Sequence, residues 1–459
     1  MIPQNGLRKT AILLLPTLNK IQFTYLKENK RAVTRGGKEE EKMNMKYLAL
    51  GVIAITFLFD TWMKYLDMKS ADREIPDNVK DIYDADSYQK WLHYDREKNR
   101  LNFWRHIAMY LTVFIMFGFD GYARLLSLLG IRGDYAAGMG VLVIDFLVCL
   151  IYAIPYEYVD SMVIEQKYGF NRMTKKTFVI DQIKGIVINL VITCGICALF
   201  IAIHKALGNW LLVVFTAVMF VIILAIMFLS PVLGKIYNKF EPLPDGELRD
   251  RLTKLLAENG CTVREIKVMD GSKRSAKANA YFTGFGKSKT IVLYDTLLEQ
   301  MTDDEIVAVF AHEMGHNKHK DTMKMYAMNL INIVIFVLIA WMLVTRKEIY
   351  AFFGFEGVNY GFAFVLLSTV CMSFLSPFLG LFTSALMRKF EYAADRFAAE
   401  NGYGKELIAA LKVLTRNTLS CLTPHPIVVK LTYSHPTVSQ RIAAIEKVHT
   451  AGLQSEENN

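Results

Sequence analysis

The chain has six cysteines in 459 residues, Cys149, Cys194, Cys197, Cys261, Cys371 and Cys421, and nothing in their placement suggests a disulfide framework. Cys194-Gly-Ile-Cys197 has redox or zinc spacing, yet it lies among Ile, Val and Leu where thiolates would be poorly solvated. These residues read as small apolar packing groups. A nucleic-acid-binding motif is also lacking, so the formal charge of +9 does not point to nucleic acid; in a membrane protein, basic residues mark cytoplasmic loops. The first residues do not read as a signal peptide either. The apolar patch from Ala11 to Leu15 is short even for a signal core, Pro16 follows it, and no small-residue cleavage site stands out. Residues 1–45 therefore read as a disordered or non-native tail, with Met43 or Met45 a natural start. No Lys-rich retention signal closes the chain, and residues 451–459 read as a flexible, acidic and polar tail.

What the sequence does have is apolar side chain. Hydrophobic residues make up 53% and aromatics 12%, with a mean hydropathy of +0.24, more than soluble domains usually carry. Apolar segments recur at about residues 46–63, 105–130, 137–154, 185–204, 209–231, 324–344 and 361–387, each close to the roughly 20 residues a bilayer demands. The expected fold is an α-helical polytopic membrane protein with seven transmembrane helices: spans one to five in 46–231 and spans six and seven in 324–387. Buried core helices of a soluble protein are the alternative, but such runs are normally shorter. The second run carries Asp120 and Arg124 and is expected to leave the hydrocarbon early.

Residues 232–323 break the pattern and read as a small soluble α/β insert. Pro242, Pro244, Asp245 and Gly246 form a turn before an amphipathic helix with Leu248, Leu252, Leu255 and Leu256 on one side. Two β-like stretches follow, 265–269 and 290–294, and then a helix from Thr302 with Asp303, Asp304 and Glu305 in its first turn. Seven spans put the termini on opposite faces and fix which loops share the insert's side. Lys69, Arg73, Lys80, Lys90, Arg96, Lys98, Arg100, Lys167, Arg172, Lys175, Lys176 and Lys184 lie on that side, against Arg124, Arg132, Lys205, Arg346 and Lys347 opposite. The positive-inside rule makes the insert cytosolic.

The chemistry centres on Ala311-His312-Glu313-Met314-Gly315-His316, the H-E-x-x-H pattern of zinc peptidases. On a helix His312 and His316 fall one turn apart on a single face, so both imidazoles can reach one Zn²⁺ while Glu313 faces a water on the metal. A catalytic zinc wants three protein ligands and an open position. The metzincin third histidine would stand at 322, which is Thr322. Spans six and seven form a hairpin, so the chain before the one and after the other meet at one membrane face. Glu391 lies there, in Phe390-Glu391-Tyr392-Ala393-Ala394-Asp395, with Asp395 one turn on to orient a ligand histidine. His319 shares the face of the histidine pair and is the rival ligand. The histidine helix is expected to be the cytosolic extension of span six.

From about residue 46 to 445 the sequence resembles the type I CAAX prenyl endopeptidases, integral-membrane zinc metalloproteases related to the HtpX proteases. The resemblance rests on the two motifs above, on Ser275 to Gly284 with its Asn279-Ala280-Tyr281 core, on Ile164-Glu165-Gln166-Lys167-Tyr168-Gly169-Phe170-Asn171, and on Ser434-His435-Pro436 followed by Arg441. It implies a chamber enclosed by the seven helices and a gluzincin site: one Zn²⁺ per chain on His312, His316 and Glu391, and Glu313 as general base. It implies that Asn279 and Ala280 lie on an edge strand that pairs with substrate backbone. It implies that His435 donates to the oxyanion with Arg441 supporting it, although by residues alone His435 reads equally as a loop histidine before a proline. Residues 388–450 then form a C-terminal catalytic segment. The implied reaction removes the last three residues of a prenylated protein ending Cys-a-a-X. The partners would be a prenylated or other membrane-associated peptide and the bilayer, not nucleic acid, in the endoplasmic reticulum membrane of a eukaryote or the cell membrane of a bacterium. Two rivals remain: a broader quality-control protease of membrane proteins, and a seven-helix transporter or scaffold with a structural metal. A structural site would fill four positions with Cys or His, and only three ligands are found here.

Overall fold

The structure is a computed structural model and describes residues 35–261, 263–283 and 290–457. The tail expected over 1–45 lies outside these residues up to position 34, and from Arg35 the chain is already helical, in α1 (Arg35–Met68). Helix α2 (Ala85–Gly118) begins on an Asp84 cap whose carboxylate accepts from the Ser87 N–H. It breaks at Asp120, which has φ 55, and continues as α3 (Gly121–Leu128) bent by 69°. The second apolar run is thus a bent pair rather than one straight span. Lys46 meets the Asp120 carboxylate at 2.7 Å at this break. Next come α4 (Asp134–Tyr158), which ends in a π-helical stretch Val159–Glu165, then α5 (Lys175–Leu207) and α6 (Leu211–Leu233).

The insert is built on a sheet of four strands: β1 (Phe240–Pro242), β2 (Glu265–Met269), β3 (Ala280–Thr283) and β4 (Thr290–Tyr294), in the order β1-β2-β4-β3. Strands β2 and β4 run parallel and β3 runs antiparallel to β4, which leaves β3 at an edge. Helix α7 (Glu247–Glu258) lies between β1 and β2 and buries Leu252, Leu255 and Leu256 against Ile291, Leu293 and Phe310. Helix α8 (Asp303–Lys318) carries both site histidines. It starts on a reciprocal cap, Thr302 accepting from the Glu305 N–H and Glu305 from the Thr302 N–H.

Helix α8 does not run on into the next membrane helix. His319 ends it, Lys320 adopts φ 57, and α9 (Asp321–Val344) starts in a new direction. The expected extension of span six is therefore replaced by a sharp break. A short helix α10 (Tyr360–Leu366) and a π-helical stretch Leu367–Met372 lead into α11 (Ser373–Ala398), which carries Glu391 and Asp395. Helices α12 (Gly404–Asn417), α13 (Pro426–Thr432) and α14 (Val438–Glu457) close the chain, so the segment expected as a flexible tail is helical up to Glu457.

Among the described residues five helical stretches are long and apolar enough to cross a bilayer, or six if the bent pair counts as one span. Together with the small sheet they make a polytopic membrane protein. One core lies among the membrane helices, where a Cβ on Gly361 of α10 would overlap the Gly138 carbonyl of α4. The second core joins the sheet, α7, α8 and α12. In the third, Trp91 of α2 and Val79 and Phe170 from the connecting segments pack with Leu422 and Ile442, seating the C-terminal helices on the membrane part. The six cysteines are unpaired.

Candidate active site

Helices α8 and α11 approach each other to backbone contact. A Cβ on Gly315 would lie 2.7 Å from the Ala394 Cα and 3.1 Å from its carbonyl oxygen, so only glycine fits there. This approach brings Glu391 across to the two histidines. His312 Nε2 is 3.6 Å from Glu391 Oε2, and His316 Nε2 is 3.4 Å from Glu391 Oε1. The imidazoles stand nearly perpendicular at 87°, with centroids 4.8 Å apart. All three side chains offer a donor atom within 4.8 Å of the others.

This donor set fits a metal. Donors bound at 2.0–2.1 Å around a tetrahedral ion lie about 3.3 Å from one another, close to the spacings seen. Glu391 Oε2 is buried without a hydrogen-bond partner, an acceptor left for a cation. The far nitrogen of each ring is held by a carboxylate: His312 Nδ1 lies 2.8 Å from Asp395 Oδ1, and His316 Nδ1 lies 3.1 Å from Asp321 Oδ2. Donation from Nδ1 fixes the tautomer that leaves the Nε2 lone pair free.

Arg441, from α14, forks onto Asp395 with bonds of 2.6 and 2.8 Å. Its Nη1 is 3.5 Å from Glu391 Oε2. A guanidinium in this place holds Asp395 in the geometry that orients His312. His435 is exposed on the loop between α13 and α14, with Nε2 3.2 Å from Glu391 Oε1 and Nδ1 2.8 Å from Ser434 Oγ. Partial desolvation beside the site, with the positive charge of Arg441, holds the His435 imidazole below its ordinary range, against the pull of Glu391. Glu313 has His312, His316, Glu391 and Arg441 around it, and burial pushes its carboxyl up.

Asn279 and Ala280 lie at the start of edge strand β3, which packs against α8. The Tyr294 N–H donates to the Asn279 carbonyl, and Ala280 faces Leu293 across the pair. Alternation of an antiparallel ladder then turns the Ala280 N–H and C=O to the open edge. The Ala280 N–H donates there to Asn279 Oδ1. His319 stays out of the cluster: it ends α8, with its ring 6.4 Å from Phe397 and its Nδ1 unpartnered. Asp321 is the residue that sequence reasoning missed. On a continuous helix it would point well away from His316; the turn at Lys320 swings it back, and Lys324 braces it at 2.9 Å.

Residues 242–449 match the peptidase family M48, and residues 64–235 match the family described as CAAX prenyl protease N-terminal, five membrane helices. A CAAX prenyl protease 1 homolog of Arabidopsis thaliana is 37% identical over 299 residues, 64% of this chain and 69% of its own length. That of Oryza sativa subsp. japonica is 35% identical over the same shares. CAAX prenyl protease 1 of Saccharomyces cerevisiae is 27% identical over 88% of this chain and 95% of its own. The crystal structure of S. mikatae Ste24p superposes with a TM-score of 0.82 at 27% identity, covering 88% of this chain and 99% of that one. Relatives that match along nearly the whole length, in fold as well as in sequence, leave one assignment: the chain belongs to the CAAX prenyl protease 1 family within peptidase family M48 and is a membrane metalloendopeptidase.

Proposed function

We propose that this chain is a zinc endopeptidase that removes the last three residues from prenylated proteins ending Cys-a-a-X. The observation that carries this reading is the closed group His312, His316 and Glu391 at the crossing of α8 and α11, with an open strand edge packed on the same helix. His312, His316 and Glu391 would hold the ion. Bound Zn²⁺ supplies a Lewis acid for the scissile carbonyl and lowers the pKa of its water.

The chain's own groups do the rest. Glu313, its carboxyl pushed up by burial, takes a proton from the attacking water and delivers it to the leaving amine. His435, at the exposed rim, donates to the developing oxyanion, and Arg441 fixes Asp395 and through it His312. The open edge of β3, with Ala280 N–H and C=O facing out, binds the substrate backbone by strand addition, Asn279 releasing its bond to Ala280 as it does so.

The membrane part is proposed to cross seven times. The candidate span Lys175–Ile226 is 52 residues long and holds two helices, α5 and α6, parted at Gly208 with φ 54. Counting these separately and the bent pair once gives seven. The spans would enclose a chamber, with the insert of residues 232–323 and the segment 388–450 facing the cytosol, as the basic loops on that side favour. The membrane would be the endoplasmic reticulum in a eukaryote or the cell membrane in a bacterium. Within the lines of the spans, Asp145 accepts from the Tyr122 hydroxyl at 2.6 Å and Asp120 pairs with Lys46, as ionisable groups in a bilayer require; Asn189 is exposed and accepts from Thr193 of its own helix, at 3.4 Å.

The test is purified protein given one peptide in farnesylated and unmodified forms, with the released tripeptide identified by mass. Cleavage of the farnesylated form at the Cys-a bond is expected, inhibited by 1,10-phenanthroline. Equal cleavage of both forms would instead favour a broad membrane-protein peptidase.

A further inference from the structure

The stretch Ile164 to Asn171 has no role in the chemistry above, yet it holds the start of the proposed substrate strand. Arg172 donates from its backbone to the Arg274 carbonyl at 3.0 Å, Asn171 and Ser275 form a β-bridge, and the Ala276 N–H donates to the Phe170 carbonyl at 2.9 Å. Lys277 follows, two residues before Asn279. Its Nζ is 2.9 Å from Glu165 Oε2 and 4.8 Å from the centroid of the Phe170 ring.

Glu165 is the last residue of the π-helical stretch that ends α4. Its side chain is 13% exposed and is held from the polar first half of α2: Tyr94 donates to its Oε1 at 2.5 Å, and Lys98 at 3.0 Å while also pairing with Asp160. One carboxylate oxygen therefore faces the membrane helices and the other faces the insert. Tyr94 and Lys98 need only Oε1, so among the described residues Oε2 is committed to Lys277 alone. Lys277 stands two residues before Asn279 on the short segment that leads into β3, so where Lys277 is held bears on where Asn279 and the start of the strand lie.

We propose that Glu165 is a positioning residue for peptide hydrolysis: through Lys277 it sets the register and approach of strand β3 from the membrane helices. The substrate-pairing edge is thereby referenced to the bilayer part of the molecule. This rests on β3 being the substrate strand, as read above. A residue in such a role acts on substrate binding and leaves the metal and Glu313 untouched.

The test uses the full chain in lipid vesicles and a farnesylated peptide, with KM, kcat, zinc content and melting temperature measured for each variant. Lys277→Met cuts the tether while Glu165 keeps Tyr94 and Lys98, so the membrane-side cluster stays satisfied. Lys277→Met and Glu165→Gln are each expected to raise KM about tenfold, the change that loss of one charge-assisted hydrogen bond brings. Turnover and zinc content should stay near wild type. Lys277→Arg should restore KM, and the double variant should be no worse than either single one. Ala280→Pro, which removes the outward N–H from the strand itself, separates the two layers. If it fails to move KM, β3 is not the substrate strand and both readings fall. If it raises KM while Lys277→Met and Glu165→Gln do not, the tether alone is overturned. A loss confined to zinc content or melting temperature likewise overturns it in favour of a structural role.

Discussion

At His316 two opposing effects decide when a metal can bind. Burial pulls the imidazole down, but the carboxylates of Glu391, Asp321 and Glu313 outweigh it and hold the metal-free ring up to about 9. A metal needs the neutral ring, so below that pH binding must expel a proton. Affinity is expected to rise with pH, by about tenfold per unit for one displaced proton, and to level off near 9. Competition with a chromophoric chelator across this range checks it, and a flat profile would contradict it. Asp321→Asn removes the carboxylate that orients the ring and should cost about 10–100-fold in metal affinity. Glu313→Gln separates binding from chemistry: zinc content should be unchanged while kcat falls by at least about 10²–10⁴. Wild-type turnover in that variant would remove Glu313 from its role. His312, Glu313, His316, Glu391 and Asp395 could all be found in the sequence, because helical periodicity and a hairpin between membrane runs suffice to bring them together. Asp321 could not, since its approach depends on the left-handed Lys320, a conformation that a lysine does not announce.

Between elements, the crossing of α8 and α11 sets the distance over which Glu391 must reach. Gly315 is inside the histidine motif but its own part is steric: the atom it excludes would strike the Ala394 backbone, which no rotamer change relieves. Gly315→Ala should therefore push the helices apart, cost about 1–3 kcal/mol of stability, and lower metal content more than stability alone would explain. Metal content measured on folded protein decides it; full zinc occupancy in Gly315→Ala would mean that the crossing has slack. The strands show where periodicity runs out. β2 and β4 were legible as short apolar stretches between turns, and both occur at the expected residues. β1 is three residues containing Pro242 and carries no alternation to read, and β3 was reached only through the resemblance. The helix that carries the histidines was legible too, but its separation from α9 was not, because two helices joined by a single left-handed residue, with no Pro or Gly between them, look continuous in sequence.

At the scale of the whole molecule, hydropathy finds apolar runs, whereas the number of crossings depends on how each run is broken. The sequence carries two apolar runs, about 185–204 and 209–231, where the helical stretch from Lys175 to Ile226 is 52 residues long and is parted into α5 and α6 by the short turn at Gly208 to Trp210. If both helices cross, that turn lies on the face opposite the insert, and the termini of the spanning region end on different sides. If the pair crosses once, the turn would sit inside the bilayer with its backbone groups uncovered, which hydrocarbon does not tolerate. Trp210, two-thirds exposed, and Lys205, paired with Asp134 at 2.5 Å, are the aromatic and charged residues that mark an interface. Single cysteines placed on a cysteine-free background give the test in sealed vesicles: Asn209→Cys should react with an impermeant maleimide from one side only, and Glu258→Cys and Lys447→Cys only from the other. Labelling of Asn209→Cys from the same side as Glu258→Cys would reduce the count of crossings. It would also cancel the charge asymmetry as an argument for a cytosolic active site, since the loops being compared would no longer lie on the faces assigned to them.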